Sequence, residues 1–208
     1  FYTCTSYNEQ EFKYNSDIDS IPLIDKISQM IMVRMDGKYH NNESWRKDEI
    51  ENLITKYNIG GLITFSGNVH GTYNNIKHYQ SLSKIPMFIA SDYERGLGVF
   101  IDGTLFPSNM AVAATQDSSL AYLQGKITAV EAKAIGVNMI LAPVLDINNN
   151  IKNPIINFRS YGDTPESIVK YGLPFIEGVQ DQGLIACAKH FPGHGNTETD
   201  SHTSLPII

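Results

Sequence analysis

The sequence predicts an α/β fold of the TIM-barrel, (β/α)8 type, here an incomplete barrel with about five strand–helix units. Short apolar runs alternate with longer amphipathic segments, which is the pattern of repeated strand–helix units. The runs are nearly continuous in Ile, Val, Met and Phe, which is typical of parallel strands buried on both faces. They cover residues 30–35, 61–65, 87–92, 138–144 and 184–191.

Three segments between these runs carry helix signals. Residues 44–57 end before two glycines and place five apolar residues near one face: Trp45, Ile50, Leu53, Ile54 and Tyr57. Residues 118–135 carry a second apolar stripe, formed by Leu120, Leu123, Ile127, Val130 and Ala134. In the third segment Thr164 is a suitable N-cap and Pro165 a suitable first helical residue. We expect that helix to end at Gly183.

Two architectures compete for this pattern, an eightfold barrel and an open doubly wound sheet. A closed barrel usually needs about 250 residues, whereas the chain has 208 and five predicted strands. No Gly-x-Gly-x-x-Gly follows the first strand, so the dinucleotide-binding form of the open sheet has no support. We expect residues 1–19 to be a loosely ordered polar leader and residues 20–208 to be the N-terminal part of a barrel.

Composition excludes some classes of partner. The formal net charge is -6 and no basic cluster is present, which argues against nucleic acid. No apolar run reaches the roughly 18 residues that span a bilayer. Cys4 and Cys187 lie far apart, so a disulfide framework is not expected, and Cys187 reads as a small buried apolar residue. Cys4 is a candidate lipid-anchor residue, and localisation stays open between the cytoplasm and an exported or anchored form.

Polar side chains follow three of the predicted strands. Asp92 and Glu94 follow the third strand, Asp146 follows the fourth, and Lys189 and His190 lie at the end of the fifth. In a barrel, catalytic groups lie at the carboxyl ends of the strands. These residues are therefore candidates for one shared site.

A histidine cluster follows the fifth strand. Three of the six histidines, His190, His194 and His202, fall within thirteen residues. Asp200 is two residues before His202, so local folding can join their side chains. A carboxylate bound to one imidazole nitrogen fixes the tautomer and raises the basicity of the other, giving a general acid/base. The same four residues also suit a metal ion, and spacing alone favours neither interpretation.

Several phrases resemble glycoside hydrolase family 3, in its β-N-acetylglucosaminidase (NagZ-like) branch. The most specific is Lys-His-Phe-Pro-Gly-His-Gly at residues 189–195, which is followed by Asp-Ser-His. Residues 157–163 resemble the family's Asn-x-Arg-Ser-Phe/Tyr-Gly signature, and residues 142–147 its fourth-strand phrase. Asp-Tyr-Glu at residues 92–94 stands where the family has Asp-x-Glu. The resemblance covers residues 18–208.

The resemblance implies a retaining β-N-acetylhexosaminidase that uses neither a metal nor another cofactor. It implies that His202 is the general acid/base and Asp200 its partner. The substrate-binding residues that it implies are Asp92, Arg159, Lys189 and His190. The family's nucleophilic aspartate is expected on a later strand, beyond the chain end. The family's arginine eight positions after Asp92 is replaced here by Phe100.

Alternatives remain at this stage. One is a non-catalytic sugar-binding fragment, and another is a metal-dependent barrel hydrolase. The expected partner of the enzyme is a small carbohydrate, namely an N-acetylglucosaminide, a muropeptide or a chitin-type oligosaccharide. Since a neutral imidazole does not repel an anion, the glycosyl acceptor is left open between water and phosphate.

Overall fold

Five parallel strands form the central sheet of the computed structural model, which describes residues 20–207. They are β1 Met32–Gly37, β2 Gly61–Gly67, β3 Phe88–Ser91, β5 Met139–Ile140 and β6 Ile185–Ala186. A further short strand, β4 Glu94–Leu97, directly follows β3. The sheet order is β1-β2-β3-β5-β6, and every neighbouring pair is parallel. The predicted α/β class with a parallel sheet is therefore confirmed.

Six α helices connect the strands of the described chain. They are α1 Leu23–Gln29, α2 Trp45–Tyr57, α3 Val69–Leu82, α4 Asn109–Ala114, α5 Ser119–Ala134 and α6 Pro165–Gln180. The Thr164 side chain accepts a hydrogen bond from the Ser167 N–H, and Pro165 is the first helical residue, as predicted. No helix among residues 20–207 has the length and apolar character needed to cross a membrane. The expected leader, residues 1–19 with Cys4, lies outside the described residues.

The last two strands are shorter than the apolar runs that predict them. Pro143 lies in the first of these runs and has no N–H for a ladder hydrogen bond. The two segments nevertheless stay side by side. The Lys189 N–H donates to the Pro143 carbonyl at 3.1 Å, and Val144 forms an isolated bridge with Lys189. Lys189 therefore lies at the edge of the sheet, in an extended segment that follows β6 and is not a regular strand.

The apolar stripe predicted for α5 faces outward, which corrects the sequence-based expectation. Its four larger side chains are each 39–50% exposed: Leu120, Leu123, Ile127 and Val130. The buried face of α5 consists mainly of small residues and packs against α6. A Cβ on Gly125 would overlap the Phe175 carbonyl, and one on Gly178 would overlap that of Tyr122. Close contact between the two helices therefore selects small residues.

One other local prediction differs from the structure, and one long helix was not predicted. Trp45 is 74% exposed, although Ile50 and Ile54 on the same helix are fully buried as expected. Helix α3 is not among the three predicted helices, and part of its buried face is polar. Its Asn75 accepts from the His40 N–H and donates to the Asp36 and Lys38 carbonyls, which fixes the chain after β1.

Candidate active site

The predicted site residues meet at the carboxyl edge of the sheet. Asp92 follows β3 directly, Glu94 begins β4, and Lys189 follows β6. Arg159 comes from a 3-10 turn, Asn157–Arg159, in the connection between β5 and α6. Since neighbouring strands are parallel, their carboxyl ends bring these residues to one side of the molecule.

Two cations and two carboxylates form an ion network at the floor of this site. Lys189 Nζ lies 2.7 Å from both Asp92 Oδ1 and Glu94 Oε1. Arg159 donates to both oxygens of Glu94, from Nε at 2.9 Å and from Nη2 at 2.7 Å. Glu94 is therefore the centre of the network, and its bidentate contact fixes the guanidinium plane.

The contact between Glu94 and Arg159 favours the charged form of both side chains. Burial alone raises the pKa of Glu94, but the hydrogen bond from Arg159 and the charge of Lys189 outweigh it and lower that pKa to about 2. The hydrogen bond to Glu94 in turn raises the pKa of Arg159. Glu94 and Arg159 are therefore a charged pair that holds its own geometry at the floor of the site.

Asp146 holds His190 beside this network. The Asp146 side chain is fully buried, and its Oδ2 lies 2.6 Å from His190 Nδ1. Burial raises the pKa of Asp146, yet hydrogen bonds from His190 and from the His194 N–H lower it below its usual value. With Nδ1 occupied by a carboxylate, His190 Nε2 lies 3.3 Å from Arg159 Nη2 and accepts from it. His190 is therefore joined to the floor.

The structure brings Asp200 and His202 into the expected contact. His202 Nδ1 lies 2.7 Å from Asp200 Oδ1, and the His202 N–H donates to the same oxygen at 2.9 Å. Both hydrogen bonds lower the pKa of Asp200, and the bond from the backbone N–H has the larger effect. The pair is accessible, with side-chain exposures of 75% for His202 and 37% for Asp200. Within residues 20–207, His202 Nε2 has no hydrogen-bond partner, so it can contact a ligand atom.

One open cleft of about 630 Å³ contains most of these groups. Its lining residues are Asp92, Glu94, Leu141, Ile155, Arg159, Cys187, Lys189, His190, His194, Ser201 and His202. Five of the six predicted site residues therefore line the same cleft, and the sixth, Asp200, contacts His202. The volume suits a small ligand such as a sugar. Cys187 is half-buried in this lining, not fully buried as expected.

Sequence reasoning named Glu94, Asp146 and His194 only as candidates, and it did not predict the contacts that the structure gives them. The two carboxylates were identified as candidates because they stand directly after predicted strands. Phe100, at the position where the family has an arginine, is buried and packs edge-on against Tyr93. It therefore contributes no cation to the cleft.

The described residues offer no arrangement of side chains for binding a metal ion. Among residues 20–207, no group of three or more His, Cys, Asp or Glu side chains is placed to hold a metal ion. His190 instead contacts Asp146, and His194 contacts Thr197 and Ser201. These histidines are occupied by protein hydrogen bonds.

Comparison with known proteins identifies the family. The model of the glycosyl hydrolase family 3 N terminal domain matches residues 23–208. Beta-hexosaminidase A of Pseudoalteromonas piscicida is 37% identical over 174 residues, which cover 77% of this chain and 29% of that protein.

Solved structures give the same result. A glycoside hydrolase family 3 beta-N-acetylglucosaminidase from a Paenibacillus species superimposes with a TM-score of 0.77 and 33% identity, over 91% of this chain and 36% of that chain. Beta-glucoside phosphorylase BglX gives 0.79 and 31%, over 89% and 33%. The chain spans about a third of the length of these relatives. The predicted family and barrel type are confirmed: the chain belongs to glycosyl hydrolase family 3.

Proposed function

We propose that this chain is part of a β-N-acetylglucosaminidase that uses the His202–Asp200 pair as its general acid/base. One observation carries the proposal: the exposed pair lies at a cleft whose floor is the ion network of Asp92, Arg159 and Lys189. The names of the hexosaminidase and acetylglucosaminidase relatives support the choice of sugar.

The floor residues are proposed to bind the terminal sugar. Sugar hydroxyls both donate and accept, so a site for them needs fixed groups of both kinds. Lys189 and Arg159 supply donors, and the partly exposed Asp92 supplies an acceptor. His190, held by Asp146, would complete this set. Because these groups are already fixed by one another, little ordering is needed when the sugar binds.

His202 is proposed to move the proton. With Nδ1 directed at Asp200, a protonated Nε2 donates to the departing glycosidic oxygen, and the neutral ring later accepts a proton from the incoming acceptor. Retention also needs a nucleophile, which we place on a later strand of the family barrel. The exposed loop that carries His202 is expected to close over the bound sugar before transfer.

Turnover of a chromogenic N-acetylglucosaminide with a weakly acidic phenol, which needs a proton to leave, tests the proposal in the active protein that contains this chain. Replacing His202 with alanine should lower turnover about 10²- to 10⁴-fold, since general acid–base catalysis contributes that much. The matched control is His70→Ala, because His70 is an exposed residue of α3. Turnover by His202→Ala equal to that of the His70 control would refute the role of His202.

Phosphate is a second candidate acceptor. The similarity to a beta-glucoside phosphorylase favours it, and a neutral imidazole does not repel an incoming anion as a carboxylate would. Product analysis in phosphate buffer decides between the two acceptors. A sugar 1-phosphate would establish phosphorolysis, and free N-acetylglucosamine alone would exclude it.

A further inference from the structure

The loop that carries His202 is joined to the cleft wall through His194. His194 is buried, and its Nε2 lies 3.1 Å from the Ser201 hydroxyl. Ser201 stands between Asp200 and His202 in the chain. Within the described residues, this is the hydrogen bond that links segment 199–207 to earlier parts of the protein. Among the hydrogen bonds of the described residues, this side-chain contact is therefore the one that ties the segment carrying His202 to the cleft wall.

The hydrogen-bond pattern around His194 assigns the direction of this contact. The Thr197 hydroxyl donates to the His194 carbonyl at 3.0 Å, so its oxygen is left to accept from His194 Nδ1. Nδ1 then carries the ring proton, and Nε2 is the acceptor for the Ser201 hydroxyl. Any residue at position 201 without a donor loses the bond.

The backbone around His194 is itself held by several hydrogen bonds. Asn153 donates through its Nδ2 to the carbonyls of His194, Gly195 and Thr197, at 2.7, 3.2 and 3.0 Å. The His194 N–H donates to Asp146 Oδ1 at 2.6 Å, and the other oxygen of the same carboxylate holds His190. Asp146 thus fixes both the sugar-binding histidine and the support of the catalytic loop.

We propose that His194 and Ser201 are positioning residues for the acid/base pair, forming a latch that sets His202 over the cleft. The inference rests on the proposed function for the role of His202. The latch acts on placement and does not itself transfer a proton. Loss of the latch should therefore slow those steps that need His202 and leave sugar binding nearly unchanged.

Substitution of Ser201 tests the latch through the leaving group. In Ser201→Ala, kcat/KM for a substrate whose leaving group needs a proton should fall about 2- to 10-fold, the value of one hydrogen bond. For a 2,4-dinitrophenyl leaving group, which departs without a proton, it should stay nearly constant. Ser201→Thr keeps the hydroxyl and should restore the rate. The control Ser204→Ala removes an exposed hydroxyl of the same loop. Equal losses with both leaving groups would overturn the proposal.

A double-mutant cycle tests the partner. The amide of His194→Asn reaches the position of Nδ1 but not that of Nε2, so it keeps the Thr197 contact and removes the latch. The single variants His194→Asn and Ser201→Ala should show similar losses, and the double variant no further loss. Additive losses would contradict a shared contact.

Amide hydrogen exchange of segment 199–204 gives a measurement that is independent of turnover. Exchange should accelerate about 2- to 10-fold in Ser201→Ala and in His194→Asn, and not in Ser204→Ala. Unchanged exchange in both latch variants would overturn the latch while leaving the function of His202 standing. Faster exchange in a protein without N-acetylglucosaminidase activity would support the latch and refute only the proposed function.

Discussion

The floor of the cleft and the loop above it are built in opposite ways. On the floor, Glu94 is largely buried and is contacted by Lys189, which follows β6, and by Arg159, which lies in the 3-10 turn before α6. In the loop, the Asp200–His202 pair is exposed and interacts mainly with itself. The interlocked groups therefore lie where we propose that the sugar is held, and the exposed pair lies where we propose that the proton is transferred.

Stability is therefore expected to depend on the floor, and the proposed proton transfer on the loop. Removing one partner from a group of buried, mutually compensating charges is strongly destabilising, because the remaining charges are left without a counter-charge. An exposed pair contributes little to folding, since water already solvates both groups. Floor variants should therefore lose both stability and activity, whereas loop variants should lose activity alone.

Glu94→Gln should give the largest loss of stability. The substitution keeps the shape of the side chain but leaves Arg159 and Lys189 as neighbouring cations without their shared carboxylate. We expect the free energy of unfolding to fall by about 2–4 kcal/mol. Urea denaturation followed by circular dichroism measures it. The control is Glu49→Gln, which removes an exposed partner of Arg46 and should cost less than about 1 kcal/mol. Similar losses in both variants would contradict the distinction.

The contribution of Glu94 should also depend on pH. Its pKa is about 2 in the folded protein, against an ordinary value of 4.5. A lowered pKa stabilises the fold above pH 4.5, and this contribution is lost as the pH falls from 4.5 towards 2. The difference in unfolding free energy between the wild type and Glu94→Gln should be constant from pH 5 to 7 and shrink at pH 3. A difference that does not shrink at pH 3 would contradict the assignment.

Asp200→Asn should have the smaller effect and should leave the fold intact. Asparagine cannot offer His202 a charged acceptor, so kcat/KM should fall about 10- to 100-fold, within the range of acid–base catalysis. The denaturation midpoint should not move, because the pair is exposed. The matched control is Asp163→Asn, which changes an exposed aspartate outside the cleft. A shifted midpoint in Asp200→Asn would mean that the loop is part of the folded core.

Strand positions and the main site residues could be predicted from the sequence. Buried parallel strands are continuously apolar, and the residues after them share one edge, which placed Asp92 and Lys189 correctly in one cleft. The contact of Asp200 with His202 followed from their spacing. These features depend on local pattern alone.

Features that depend on tertiary packing could not be predicted. The stripe of α5 containing Leu120 and Ile127 looked like a core face, but the close approach of α6 selects the side with small residues instead. Likewise, the role of Asp146 becomes visible only when His190 and His194 are seen to share its carboxylate. The two histidines are 44 and 48 residues from Asp146, so no local pattern pairs them with this carboxylate, although its place after a strand marked it as a candidate.

Delivery of the proton from His202 to the leaving group can be measured directly. A series of aryl N-acetylglucosaminides whose phenols differ in acidity is assayed with the wild type and with His202→Ala, and kcat/KM is compared for each substrate. We expect a deficit in His202→Ala of about 10²-fold or more for the least acidic phenols and almost none for the most acidic. A deficit that stays the same across the series would contradict this role of His202.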